Sequence, residues 1–193
     1  MPTAGTWTAK KITATAANNM QAEAGLLLNA FDISDPDEPT DAEIVCATSG
    51  DFQISAVPQV EDFFEDVNNA PANTKEGKRI TGWDCSLSVE ALEFTLDTLK
   101  LALGAFEAID ATGVKPRAQY ETTDFTTLWW IGDLFDKTKI LVVKLGNAVS
   151  TGGISFSATK NGKGRMSLTI TPHTSLSSPD VMPMEFYILT KAA

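Results

Sequence analysis

Apolar and polar residues alternate with a period of two along most of this chain, the pattern of half-buried β-strands. Trp83, Cys85, Leu87 and Val89 point one way, and Asp84, Ser86 and Ser88 point the other. Phe52, Ile54 and Ala56 alternate in the same manner with Asp51, Gln53 and Ser55. Ile154, Phe156 and Ala158 share a face with Met166, Leu168 and Ile170 across a hairpin. Its turn, Asn161-Gly162, suits the two positive-φ positions of a tight connection. Ser155, Ser157, Thr159, Ser167, Thr169 and Thr171 form the opposite face. Residues 24–33 read as a first strand and residues 184–189 as a last one.

Two regions depart from that rhythm. TTLWWIGDLF and KILVVKLGNAV, joined by Asp136-Lys137, predict two antiparallel strands that are apolar on both faces, since Leu128 and Trp130 lie opposite Trp129 and Ile131. Such strands are covered twice, by a helix, a second sheet or another subunit. Over residues 89–105 the period becomes helical, with Leu92, Leu96, Leu99 and Leu103 on one stripe. Glu90, Glu93, Asp97 and Lys100 fall opposite, and Gly104 is placed to end the helix. The leucine stripe is expected to lie on a sheet face. The fold class expected is mainly β: an antiparallel sandwich or barrel with one flanking helix.

A chain of 193 residues is long enough for one domain with a substantial core. Residues 1–20, rich in Thr, Ala and Asn without a period, read as an N-terminal arm ordered by a partner, and residues 21–193 as the domain. Residues 34–41 are a loop. The connection over 58–78, dense in Asn, Asp, Glu and Pro, is longer than compact domains usually keep without a functional reason.

The net charge of −10 is concentrated in one part of the chain. Between Lys11 and Lys75 there are twelve acids and no base, whereas acids and bases balance at thirteen each from Lys75 onward. An acidic surface does not hold a phosphate backbone, which needs clustered Lys and Arg. Glu90, Glu93 and Asp97 face away from the leucine stripe with no partner segment, so they do not read as a catalytic set, and Glu93 and Asp97 precede Lys100 at the spacing of ordinary helix-surface pairs. DISDPDEPTDAE resembles a calcium loop only superficially, because Pro36 and Pro39 interrupt it and strands flank it. One histidine, His173, makes no metal cluster, and no nucleophile elbow, Walker loop or GxGxxG is present. Cys46 and Cys85 read as buried apolar side chains, in keeping with synthesis in a reducing cytosol. No run is long enough to span a bilayer, and no apolar segment follows Lys10 and Lys11 as a secretory signal would need. Neither an enzymatic activity nor a cofactor nor a bound metal is expected.

Two blocks carry a family resemblance. ISAVPQVEDFFEDVNNAPANTKEGKRITGWDCSLSVEALEFTLDTLKLALGA and WWIGDLFDKTKILVVKLGNAVSTGGISFSATKNGKGRMSLTI, with the closing MEFYIL, resemble the major tail proteins of long-tailed, non-contractile bacteriophages. The resemblance covers about half the chain or more and leaves out residues 1–20 and 107–119. It implies a structural virion protein whose hexameric rings stack into the tail tube, assembled in the bacterial host cytoplasm. The implied partners are further copies of the chain, a tape-measure protein, and tail terminator and distal tail proteins. DNA passes transiently and non-specifically through the bore at ejection, and no membrane binding is implied. The resemblance also implies that inner strands of six subunits join into one barrel and that the 58–78 loop reaches the adjacent ring. Within that loop Val60, Phe63, Phe64 and Val67 are the apolar anchors, beside Glu61, Glu65, Asp66, Lys75 and Lys78. A bore wall that lets DNA slide should be polar and not cationic. The candidate lumen-facing residues are Asp51, Gln53 and Ser55; Asp84, Ser86 and Ser88; and Ser155, Ser157, Ser167 and Thr169. Two rival readings are a carbohydrate- or cell-binding β-sandwich, for which Trp7, Trp83, Trp129 and Trp130 would be the stacking candidates, and the tube of a contractile tail or type VI secretion system.

Overall fold

The computed structural model describes residues 22–34, 36, 38–65, 69, 71, 73–135, 137–158 and 164–191. The arm over residues 1–20, Asp66, Val67 and the Asn161-Gly162 turn lie outside them. The strands are β1 (Ala22–Leu28), β2 (Ile44–Asp62), β3 (Lys78–Ala91), β4 (Phe106–Ala108), β5 (Val114–Pro116), β6 (Thr126–Leu134), β7 (Lys139–Ser150), β8 (Ser155–Ser157), β9 (Arg165–Thr171) and β10 (Met184–Thr190). A single α-helix, α1 (Leu96–Leu103), is found among the described residues.

All pairings are antiparallel, and six strands close on themselves in the order β7, β6, β1, β2, β3, β9. Closure comes from Val149 and Ser150 of β7 pairing with Thr171 and Ile170 of β9. The remaining length of the same two edges is taken by β10, which runs along Lys139–Leu145 of β7, and by β8, which pairs with Arg165–Ser167 of β9. The fold is therefore mainly β, an antiparallel barrel with one helix, as its alternating pattern predicts.

The doubly apolar strands are indeed covered on both faces. Leu128, Trp130, Val143 and Leu145 point into the barrel with Leu27, Leu87, Leu168 and Ile170. Trp129, Ile131, Ile140 and Val142 point outward, where Leu28 and the partly buried Phe31, Ile33, Tyr187 and Leu189 cover them. The second cover is thus the chain's own β1–β2 connection and β10, and not the helix. Trp130 is fully buried, stacks 4.4 Å from Phe52, and donates its Nε1–H to Thr48 Oγ1 at 3.2 Å. Thr48 in turn donates to the Gly25 carbonyl at 2.9 Å, so the polar atoms inside this wall satisfy one another.

Both cysteines are buried and free. Burial, and then the nearby Glu93 carboxylate, pushes the Cys46 thiol up to about 12, which leaves it unreactive at neutral pH.

The helix is half the length its periodicity suggests. Val89 and Ala91 continue the alternation of β3, paired with Leu168 and Met166 of β9, so the period of two outlasts the apparent helical one. Helix α1 begins only where Thr95 and Thr98 form a reciprocal cap: Thr98 N–H donates to Thr95 Oγ1 at 3.1 Å and Thr95 N–H to Thr98 Oγ1 at 2.8 Å. Its buried side chains are Thr98 and Ala102, with Leu99 and Leu101 partly buried against the core. Of the expected stripe, Leu99 packs as proposed, Leu96 and Leu103 are only half-buried, and Leu92 precedes the helix. Asp97 pairs with Lys100 at 2.7 Å, as the surface spacing suggests. Gly104 closes the helix at φ 69, and a Cβ there would stand 2.5 Å from the Ser150 carbonyl oxygen. Only glycine lets the helix end so close to β7.

The 58–78 connection is also shorter than expected. Residues 58–62 belong to β2 and pair with β3 down to Asp62↔Lys78, which leaves 63–77 as the connecting segment.

Candidate assembly surfaces

Strands β2 and β3 outrun the barrel. β1 holds β2 only as far as Ala47, and β9 holds β3 only as far as Leu87. Beyond Ile54↔Leu87 the two strands, among the described residues, pair only with each other, out to Asp62↔Lys78. From Ala56 to Asp62 this arm extends for roughly 20 Å. The inward row Phe52, Ile54, Ala56 continues along it as Pro58 opposite Trp83 and Val60 opposite Ile80. No core lies beneath that part of the row, so Val60, Ile80 and Trp83 are exposed, Trp83 by 38%. A free two-stranded hairpin is marginal in water, and one that shows apolar side chains has surface to bury elsewhere.

One carboxylate ties the base of the connecting segment. Asp62 accepts the Phe64 N–H through Oδ1 at 3.1 Å and the Lys78 ammonium through Oδ2 at 2.8 Å. The Lys78 ammonium, and then the Phe64 N–H, hold the Asp62 carboxyl below the usual carboxylate range. Phe63 N–H donates to the Gly77 carbonyl at 2.8 Å and closes the neck of the segment. Of the expected apolar anchors, Val60 and Phe63 are free on the surface, Phe63 by 74%. Phe64 turns back and rests over Gly77, so it supports the tip and is not an outward anchor. Lys78 is likewise committed to Asp62, whereas Glu61, Glu65 and Lys75 are exposed.

At the root of the arm is an apolar groove of about 290 Å³. Ala56, Trp83 and Cys85 form one wall and Met182, Met184 and Phe186 the other. Strand β10 carries the apolar surface further, because Phe186 is 50% and Ile188 65% exposed. Its outer edge has no neighbouring strand among the described residues, and within the strand neither a proline nor a bulge interrupts seven paired residues. Glu185, its one charged residue, is tied to Lys144 at 2.8 Å and to the Tyr187 hydroxyl. An edge of this kind is open to a further strand.

The expected lumen-facing residues come together on one sheet face. Gln53 pairs with Ser88 and Ser55 with Ser86 across β2 and β3, Ser88 pairs with Thr169 across β3 and β9, and Ser155 pairs with Ser167 across β8 and β9. Two features of that face were not read from the sequence. Arg165, opposite Ser157, lies within it and bonds Glu90 at 2.7 Å and Asp51 at 3.5 Å, so Asp51 is not a free acid. The Arg165 guanidinium holds the Glu90 carboxyl below its ordinary range. Asp84 accepts from Gln59 Nε2 at 2.8 Å and sits across from the exposed Val57, which interrupts the polar strip. Arg165 has the same parity as Ser167 and Thr169, the signal that would have placed it here.

Trp129 and Trp130 are buried and Trp83 lies in the groove. No group of three or more His, Cys, Asp and Glu among the described residues is placed to hold a metal ion. No helix among them is long and apolar enough to cross a membrane.

Comparison with known proteins returned no matching family model and no matching curated protein. Among solved structures, the chain is similar to a chain in the tail of an empty gene transfer agent particle with C6 symmetry, at 11% identity, covering 87% of this chain and 96% of that one, with a TM-score of 0.40. It is similar also to a chain of the virion of the native gene transfer agent particle, at 11% identity, covering 84% and 95%, with a TM-score of 0.37. Likeness at this level does not by itself carry function.

Proposed function

We propose that this chain is a structural protein of a virion tail, forming hexameric rings that stack into a tube around a tape-measure protein. The observation that carries the reading is the arm: a two-stranded extension with Val60, Phe63, Ile80 and Trp83 exposed, beside the apolar edge of β10, which no strand among the described residues pairs. A monomer gains nothing from such surface, and a stacked assembly buries it. The resemblance of the 54–105 and 129–170 blocks to non-contractile tail tube proteins points the same way. In this reading the tip reaches the adjacent ring with Val60 and Phe63 as anchors, and the β10 edge serves within the ring. The acid excess keeps DNA from sticking during ejection. The test is sedimentation against concentration: discrete large species should grow from monomer as concentration rises. Monomer alone from micromolar to millimolar would refute assembly.

The polar face of β2, β3, β8 and β9 is the bore wall in this proposal. Its Arg165 does not grip DNA because Glu90 and Asp51 hold it. Ser55→Lys with Ser88→Lys should still give tubes, since both sites lie on a polar face, yet virions should eject DNA more slowly, most clearly at low salt. Unchanged ejection at both low and high salt would place this face on the outside.

A further inference from the structure

The arm leaves apolar side chains exposed at one end of the β2–β3 hairpin, and a second exposed apolar cluster stands at the other end. Ala91 closes β3, and Phe94 follows three residues later. Met166 of β9 pairs with Ala91, and Phe156 of β8 pairs with Met166, so Phe94 and Phe156 meet at this level of the sheet. Their rings lie 6.1 Å apart at 84°, edge to face. Phe94 also rests on Gly164, where a Cβ would come within 3.1 Å of the ring. The pair is held in place, yet Phe94 is 49% and Phe156 68% exposed, and Ile154, two residues before Phe156, is exposed as well.

Length and area identify what covers this cluster. From Lys78 to Ala91, β3 rises roughly 40 Å, so Phe63, at the far end of the arm, cannot reach the cluster of its own chain. A contact between the two surfaces joins copies head to tail. Each copy then keeps one surface free for the next, and the contact propagates as an open stack. A fully buried aromatic side chain contributes about 150–250 Å², so Val60, Phe63 and Ile80 together present roughly 300 Å², and Phe94, Phe156 and Ile154 about the same. One such contact buries roughly 600 Å² in total, half of the ~1,200 Å² at which specific interfaces begin. Six of them, as between two hexameric rings, bury roughly 3,600 Å², and the first contact makes the other five intramolecular. We propose that the Phe94–Phe156 cluster is the seat for the arm of a second copy, with Phe63 against the aromatic pair, and that rings form before they stack because a single contact is too small to hold two monomers. The proposal rests on the ring-and-tube reading above and adds to it the receiving surface and the order of assembly.

Phe156→Glu in the full chain tests this by placing a charge in the seat. Phe156 belongs to neither core cluster, so the β signal in circular dichroism should be unchanged. Sedimentation should show six-copy species, while species larger than one ring fall at least about tenfold. Leu176→Glu, at a fully exposed leucine between β9 and β10, is the control and should stack as the wild type does. A second measurement keeps the aromatic side chains. Glu65→Cys with Ser157→Cys, both at exposed positions beside the two surfaces, should give a ladder of covalent multiples with a short bismaleimide, and each single variant only monomer. Cys46 and Cys85 are buried and stay out of the reaction. Normal stacks from Phe156→Glu, no ladder from assembled double variant, or linked pairs from Glu65→Cys alone would overturn the inference and leave the tube reading standing. Monomer alone from the wild-type chain would overturn both.

Discussion

Gly25→Ala should cost about 3 kcal/mol of stability and leave the barrel close to unfolding, although it adds one methyl group. A Cβ at Gly25 would overlap the Ile131 carbonyl oxygen and come within 2.9 Å of the Trp130 ring. Neither obstacle can yield. The carbonyl belongs to β6, which pairs with β1 through Gly25↔Gly132 and Leu26↔Ile131, and the Trp130 ring is fixed by Phe52 and Thr48. Relief would have to part β1 from β6 or break the Trp130–Thr48–Gly25 hydrogen bonds, leaving buried polar atoms unpaired. Gly50→Ala is the matched control, because a Cβ there meets nothing within 4 Å, and its cost should stay within about 0.5 kcal/mol. Urea unfolding compares the two through their midpoints at equal slope. Equal midpoints would mean that the close approach of β1 to β6 is not what holds this wall.

The second large effect concerns assembly and not stability. Replacing residues 63–76 by a short Gly-Ser linker should leave the barrel folded and abolish stacking. The boundary matters, because Glu61 and Asp62 are strand residues and a cut there would damage the hairpin itself. The described residues of the replaced segment contribute no side chain to either core cluster, and shortening it changes closure entropy little. It does remove Phe63, the most exposed aromatic side chain of the arm. An unchanged β signal in circular dichroism with loss of large species in sedimentation is the expected pair of results. Large species of normal length from the variant would show that the tip has no role between rings.

Much of the barrel was legible because its strands are half-buried and alternate cleanly, as at Trp83–Val89 and Phe52–Ala56. The start of the helix is not legible, because Val89 and Ala91 fit both periods, and only the Thr95/Thr98 cap, four residues on, fixes where the helix starts. The arm reads as loop because Pro58 and the acids around it suggest a turn, yet Pro58 stands in β2 opposite Trp83, on a stretch that β1 does not pair. Barrel closure through Val149 and Ser150 could not be read at all, since two pairs at the ends of two strands leave no periodic trace. On the polar face, the register is visible in the serines, but the contact of Asp51 with Arg165 is not, since more than a hundred residues separate them.

The most direct measurement is negative-stain electron microscopy of the purified chain at concentrations from micromolar to millimolar. Rings with a central hole, stacked into tubes and lost in the 63–76 replacement, are what the account predicts. A uniform field of single barrels at the highest concentration would contradict it.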